Sequence, residues 1–131
     1  MKIGFTGTQK GMTDKQKEKL RDILSRQIYP NHNIEFHHGD CIGADSEAHK
    51  IAKEMGFVVH IHPPIKPNKR AFCQGDVEHI KKDYLIRDYD IIDAATILIA
   101  CPAGKEELRS GTWATVRYAR KISRPITIIM P

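Results

Sequence analysis

The chain has 131 residues, a length that suits a single domain, and 40% of the residues are hydrophobic while 28% are charged. This composition excludes an intrinsically disordered chain, and no apolar run approaches the about 20 residues that a transmembrane helix needs. The formal net charge of +5 favours anionic partners without identifying them. We therefore expect one domain over residues 1–131 and no membrane span.

The cysteines and the N-terminal run predict the compartment. Cys41, Cys73 and Cys101 are odd in number and lack CxxC spacing, which argues against a disulfide framework and against a zinc site. The run Lys2–Thr6 is typical of a short strand and not of a signal peptide. Both features predict a protein of the reducing cytoplasm.

Short β-rich runs alternate along the chain with helix-length amphipathic segments. Several of the runs are continuously apolar, which is typical of strands buried on both faces of a parallel sheet. The predicted strands are Lys2–Thr6, Ile34–His38, Val58–His62, Thr96–Cys101 and Ile126–Met130.

Four helices are predicted between these strands. The first begins after a capping box formed by Thr13 and Gln16 and ends at Tyr29-Pro30-Asn31. The second carries the apolar stripe Ala48, Ile51, Ala52 and Met55 and ends before Gly56. The third covers Asp83 to Ala94, the fourth runs from Gly111 or Thr112 to Ile122, and Pro63–Glu78 is a long loop with room for a short helix. This alternation predicts an α/β fold: a Rossmann-like three-layer sandwich with an about five-stranded, mainly parallel sheet and helices on both faces.

Glycine-rich loops follow three of the predicted strands. In open α/β sheets, ligands bind beyond the carboxyl ends of the strands, and glycines let backbone amides approach a phosphate closely. The alternative is that these glycines only form turns and helix caps. The loops are Gly7-Thr8-Gln9-Lys10-Gly11, Gly39-Asp40-Cys41-Ile42-Gly43-Ala44-Asp45, and Pro102-Ala103-Gly104 leading into Ser110-Gly111-Thr112. Because neither a P-loop nor a G-x-G-x-x-G fingerprint is present, a kinase, GTPase or ordinary dehydrogenase is a poor interpretation.

Nearly the whole chain resembles the SLOG superfamily, which joins the DNA-processing protein DprA (Smf) to the LOG (Lonely guy) proteins. Residues 39–49, GDCIGADSEAH, resemble the family's G-x-A-x-G-x-D-x-x-A-H segment, and residues 7–10 lie where the family has a G-S-R-like loop. Residues 84–88, YLIRD, resemble its arginine-bearing segment, and residues 110–113, SGTW, its second glycine-threonine motif. The resemblance implies a ligand edge formed by Gly7, Thr8, Gln9, Lys10, Gly39, Gly43, Asp45, Arg87, Ser110, Gly111 and Thr112.

One departure from the family concerns catalysis. LOG phosphoribohydrolases carry P-G-G-x-G-T-x-x-E, and the position of that essential glutamate is Thr115 in this chain. A threonine cannot supply the carboxylate, and Glu106 or Glu107 of the preceding loop could replace it only if they were not solvated. We therefore expect a domain that binds a nucleotide or nucleotide derivative. The alternatives are a DprA-like binder of single-stranded nucleic acid and, if the chain is an enzyme, a LOG-like N-glycosidic hydrolase.

The roles of several individual residues have more than one interpretation. Arg87 is expected either to bind a phosphate or to form an ion pair with Asp83, Asp88 or Asp90. Asp45 is expected to act as the N-cap or a first-turn acid of the second helix, to bind a ligand directly, for instance a ribose hydroxyl, or both. Further cations near the edge are Lys10, Lys66, Lys69, Arg70 and Arg109, and Trp113 is either a packing anchor or a base-stacking platform.

Histidines are frequent in the second and third predicted strands. His37-His38 and His60-x-His62 end these strands, and alternate residues of one strand share a face. Because no acidic cluster at ligand spacing accompanies them, the sequence predicts no metal site, and it predicts no cofactor. We also expect the chain to form a homo-oligomer.

Overall fold

The sheet around which the chain folds has six parallel strands. The structure is a computed structural model, and it describes residues 1–28 and 33–131. Within them the strands are β1 (Lys2–Gly7), β2 (Glu35–His38), β3 (Val58–Ile61), β4 (Val77–Glu78), β5 (Ile97–Cys101) and β6 (Ile126–Ile128). Their order across the sheet is β4-β3-β2-β1-β5-β6. The parallel α/β sandwich that the alternating pattern predicts is therefore confirmed.

The strand count differs from the prediction by one. β4 lies inside the segment expected to be a loop, where a short 3-10 helix (Pro67–Lys69) is also found. The strand has only two residues and both are exposed, so it carries neither the length nor the apolar pattern of a buried strand. It pairs with β3 through His60 and Val77 at the edge of the sheet.

Four α-helices connect the strands: α1 (Asp14–Gln27), α2 (Ala44–Glu54), α3 (Tyr84–Ala94) and α4 (Gly111–Lys121). The capping box at α1 is confirmed, since Thr13 Oγ1 accepts from the Gln16 amide at 3.1 Å and Gln16 Oε1 from the Thr13 amide at 2.9 Å. The predicted end of this helix, Tyr29-Pro30-Asn31, lies outside the described residues. No helix in the described part of the chain is long and apolar enough to cross a membrane.

Helices cover both faces of the sheet. On one face α1 and α2 bury a core that includes Phe5, Phe36 and Leu24. On the other face α3 and α4 pack over β1, β5 and β6, and Trp113 is only 6% exposed in this second core. The packing-anchor interpretation of Trp113 thus fits its position. Beside this second core, β2 and β3 continue the same face of the sheet with His37, the register partner of Gly4, and His60, the register partner of His37.

Candidate ligand-binding site

A pocket of about 280 Å³ opens beyond the carboxyl end of β1. Here the strand order reverses, because the chain moves from β1 outward to β4 and then returns to place β5 on the other side of β1. Loops after β1, β2 and β5 and one side of α3 form its walls. The predicted site residues that line it are Gly7, Thr8, Gln9, Lys10, Gly39, Asp45, Arg87, Ser110, Gly111 and Thr112.

Gly43 is the predicted site residue that does not line the pocket. Its φ is +84°, and a Cβ atom there would lie 2.3 Å from the carbonyl oxygen of Gln9. Gly43 therefore lets the loops after β1 and β2 pack against each other. Gly39 has a comparable role, since a Cβ atom there would lie 2.5 Å from Nη1 of Arg87.

Backbone hydrogen bonds fix the loop after β1. The Thr8 amide donates to the Cys101 carbonyl at 3.0 Å, and the Thr8 carbonyl accepts from Gly11 and Ala44 at 3.1 and 2.9 Å. These bonds tie the loop to β5 and to the start of α2. Among the described residues, the amide of Gln9 has no acceptor, and Gln9 lines the pocket with an exposed side chain.

The N-terminus of α4 forms the opposite wall. Ser110 is the N-cap, and its Oγ accepts from the Trp113 amide at 3.2 Å. Within the described ranges the amides of Gly111 and Thr112 donate to no protein group. A helix N-terminus with open amides carries a partial positive charge and favours an anion.

Arg87 is buried in the pocket wall, with 3% of its surface exposed. Its Nε donates to Asp88 at 2.8 Å, and its Nη1 donates to the carbonyls of His62, at 3.1 Å, and of Gly39. The structure therefore contains the ion-pair alternative, with Asp88 as the partner. Asp90 pairs instead with Lys82 at 2.6 Å.

Two carboxylates share the pocket with Arg87. Oδ2 of Asp45 accepts from the amides of Gly39 and Cys41, each at 3.2 Å, and burial raises the pKa of Asp45 to about 7. Burial also raises the pKa of Asp88, against the opposing effect of Arg87. Asp45 lies in the first turn of α2, as predicted, although the N-cap itself is Gly43. The position of Asp88 on the pocket wall was not predicted, and its only sequence signal is its adjacency to Arg87.

Most of the other predicted loop cations lie elsewhere. Arg70 is held by Asp40 at 2.6 Å and by Glu78 at 3.3 Å. Among the loop cations named from the sequence, Lys10 is the one that lines the pocket; Lys66, Lys69, Arg70 and Arg109 do not.

Comparison with known proteins identifies similar folds. No protein-family model matches the sequence, and no curated protein matches it significantly. The molybdenum cofactor binding protein of Rippkaea orientalis superimposes with a TM-score of 0.74 at 17% identity, over 99% of this chain and 76% of that chain. The single-stranded-DNA-binding DNA processing protein A of Helicobacter pylori gives 0.70 at 20% identity, over 98% of this chain and 64% of the other. The molybdenum cofactor carrier protein of Chlamydomonas reinhardtii gives 0.68 at 24% identity, over 99% and 78%.

This chain shares the fold of these three proteins. The similarity at these identities concerns the fold, and it agrees with the order of the motifs along the sequence. At Thr115, where the sequence resemblance puts the LOG glutamate, Oγ1 donates to the Gly111 carbonyl at 2.9 Å.

The loop acids that could have replaced that glutamate lie outside the pocket. Glu106 is bound by Arg117 at 3.2 Å and by Arg120 at 3.1 Å on the surface. Neither Glu106 nor Glu107 lines the pocket. Asp88 and Thr115, in contrast, both line the pocket.

Proposed function

We propose that this pocket binds a phosphate-bearing nucleotide or nucleotide derivative. The observation that carries the proposal is that one pocket is lined by three residues, from two separate loops, whose backbone amides have no acceptor among the described residues. Gln9 contributes an amide from the loop after β1, and Gly111 and Thr112 contribute theirs from the start of α4. Lys10 lies next to Gln9 in the loop after β1 and adds a positive charge to that wall. Amide donors and a cation therefore line the same pocket, which suits a phosphate group.

The remaining polar groups suit the sugar. Asp45 and Asp88 are acceptors when ionised, and ribose hydroxyls are donors. Arg87 pairs with Asp88 and holds the Gly39 and His62 carbonyls, so its part in ligand binding is to position the walls of the pocket. The volume of about 280 Å³ lies just below the range of small-molecule sites, which span about 300–1,000 Å³. A mononucleotide therefore fits this pocket better than a dinucleotide.

Two glycines offer a matched pair of variants. A Cβ atom at Gly111 or at Gly104 would meet no protein atom within 4 Å, but only Gly111 lines the pocket. We expect Gly111→Val to weaken nucleotide binding at least tenfold and Gly104→Val to leave it unchanged. Lys10→Ala should weaken binding severalfold, with Lys15→Ala on the exposed surface of α1 as its control.

Thermal-shift and calorimetric titration with nucleoside mono- and diphosphates, ADP-ribose and single-stranded oligonucleotides measure these effects. A ligand at 100 times its Kd stabilises the folded protein by about 2.7 kcal/mol, so a binder raises Tm. Failure of every nucleotide to raise Tm, or equal binding by both valine variants, would contradict the proposal. Binding of oligonucleotides alone, with an affinity that falls steeply with salt, would favour the DprA-like alternative.

The paired carboxylates favour a second candidate, an N-glycosidic hydrolase. In that reaction water bonds to C1′ of the sugar and gives one proton to a carboxylate, the bond to the base nitrogen breaks, and the base leaves with a proton supplied by the other carboxyl group. Asp45 is suited to proton transfer because its pKa is about 7. Free base should then appear in the same nucleotide incubations and disappear with Asp88→Asn. Binding without any released base would leave the binding function alone.

A further inference from the structure

We propose that His37, His62 and His79 bind a divalent transition metal of the zinc class. These residues, together with His60 and Glu35, form what we call the histidine cluster. The cluster lies on the face of β2 and β3 beside the second core. It shares no residue with the lining of the nucleotide pocket, so the two proposals stand or fall separately.

The fold assembles the cluster from three neighbouring strands. His37 is on β2, His62 follows β3 directly, and His79 follows the edge strand β4. The amide of His79 donates to the Ile61 carbonyl at 2.9 Å and keeps this residue beside the end of β3. The sequence pattern shows two of these positions, but the third depends on β4, which no apolar pattern indicates.

The distances between the ligand atoms suit one ion. Nδ1 of His37 and Nε2 of His62 are 2.8 Å apart, and the ligand atoms of all three histidines lie within 4.8 Å of one another. Two nitrogens bound to a tetrahedral zinc at about 2.0–2.1 Å are separated by about 3.3 Å. The observed range includes this value, so side-chain rotation of a few tenths of an ångström is sufficient.

The groups behind the ligands favour metal-binding tautomers. Oε1 of Glu35 lies 2.8 Å from Nε2 of His37 and 3.3 Å from Nε2 of His60. Because a carboxylate only accepts, it places the proton of His37 on Nε2, so Nδ1 keeps its lone pair for the hydrogen bond with His62 or, in its place, for a metal. Nδ1 of His60 lies 2.9 Å from Nε2 of His79 and offers an acceptor for a proton on that nitrogen, which leaves the lone pair on Nδ1 of His79. A zinc-bound histidine usually donates its outer N–H to a carboxylate or another acceptor in this way.

Two of the ligands are almost fully buried, since His37 is 3% and His62 is 4% exposed. Transfer of a charged imidazolium into such a site is unfavourable, so burial favours the neutral side chains. Neutral imidazoles are the form that binds zinc, nickel or copper. A cavity of about 320 Å³ lined by His62 and His79 connects the cluster with solvent, and three protein ligands leave a fourth position for water or an exogenous group.

Another set of side chains in the described part of the chain, His38, His49 and Cys73, is a weaker candidate. Nδ1 of His38 accepts from the Asp40 amide at 3.0 Å, and its Nε2 lies 2.9 Å from Nδ1 of His49. The amide donor places the proton of the fully buried His38 on Nε2, so the nitrogen that faces His49 has no lone pair for a metal. The His37-centred set, in contrast, includes a half-buried histidine next to a solvent-connected cavity.

Titration of the tag-free chain with Zn²⁺ by calorimetry, and with Co²⁺ by visible absorption, tests the proposal. We expect one metal per chain, a rise in Tm with Zn²⁺, and cobalt d–d bands typical of a site with several nitrogen ligands. His79→Ala should weaken Zn²⁺ binding at least tenfold. Glu35→Gln should weaken it by about 10–100-fold, because Glu35 accepts from the outer nitrogen of His37. Ile80→Ala is the control, because Ile80 is 82% exposed, lines the same cavity and has no ligand atom.

Two results would overturn the proposal. Absence of saturable Zn²⁺ binding in the wild-type protein would overturn the proposal and leave the cluster as a hydrogen-bonded histidine stack. Binding that survives His79→Ala but is lost in His49→Gln would also overturn it, because it would place the ion on the His38 side. Far-ultraviolet circular dichroism confirms that each variant is folded before its affinity is compared.

Discussion

Asp45 shows how burial gives a single carboxyl group two roles. Its Oδ2 holds the Gly39 and Cys41 amides in the loop after β2, which shapes the pocket. The same burial raises its pKa from the ordinary 3.8 to about 7, so the folded protein holds the Asp45 proton more tightly than the unfolded chain does. Its contribution to stability is therefore largest at low pH and is lost as the pH rises from about 4 to about 7.

Asp45→Asn removes this titration while it keeps an acceptor oxygen. We expect the free energy of unfolding of the variant to increase relative to wild type between pH 4 and 7, by at most about 1.4 kcal/mol per pH unit, and the difference to be constant above pH 8. Urea denaturation at several pH values, with EDTA present, measures it. A difference that does not change with pH would show that Asp45 is ionised throughout.

The buried histidines change the stability of the protein with pH in the opposite direction. Burial lowers the pKa of His37 to about 4 and that of His38 to about 3, so the unfolded chain binds more protons than the folded protein below pH 6.5. Stability from these groups is lost as the pH falls through that range. Wild type and Asp45→Asn contain the same histidines. This acid-induced loss of stability therefore cancels when the two proteins are compared.

At the scale of elements, α1 is attached to the sheet edge through one polar side chain. Gln16 completes the capping box and its Nε2 donates to the carbonyls of Pro102 and Ile129, both at 2.8 Å. The capping box follows from a spacing of three residues and could be predicted. The two carbonyl bonds join residues far apart in the chain, and only the packed structure places them together.

Gln16→Leu should therefore cost more than the loss of a helix cap. Each buried carbonyl left without a donor costs about 1–3 kcal/mol, and we expect a total loss of about 2–4 kcal/mol in the free energy of unfolding. Thr13→Ala removes only the cap and should cost about 1 kcal/mol. Equal losses for the two variants in urea denaturation would show that the carbonyl bonds contribute nothing.

The edge strand β4 illustrates a limit of sequence patterns. Both of its residues are exposed, so no hydrophobic period indicates the strand, and its partner β3 decides its position. The position of this strand also affects the histidine cluster. The position of His79, and with it the metal proposal, depends on a strand that only the assembled sheet specifies.

For the whole molecule, the parallel sheet explains why so much of the site could be predicted. Continuous apolar runs fix the strands, and parallel pairing brings their carboxyl ends to one edge, so the glycine loops after β1, β2 and β5 meet. The side-chain partners could not be predicted in this way. Three acids within four residues of Arg87 were candidates for its ion pair. Only the packed structure shows that Asp88 is the partner.

The central claim is that an anionic ligand binds at the amides of the loop after β1 and of the start of α4. Amide chemical shifts of ¹⁵N-labelled protein during titration with adenosine 5′-monophosphate, or with the tightest nucleotide of the panel, test it most directly. We predict that the signals of Gln9, Gly111 and Thr112 shift in a saturable manner while that of His79 does not. Saturable shifts confined to other surfaces, or no shift at these three amides with any nucleotide, would contradict the claim.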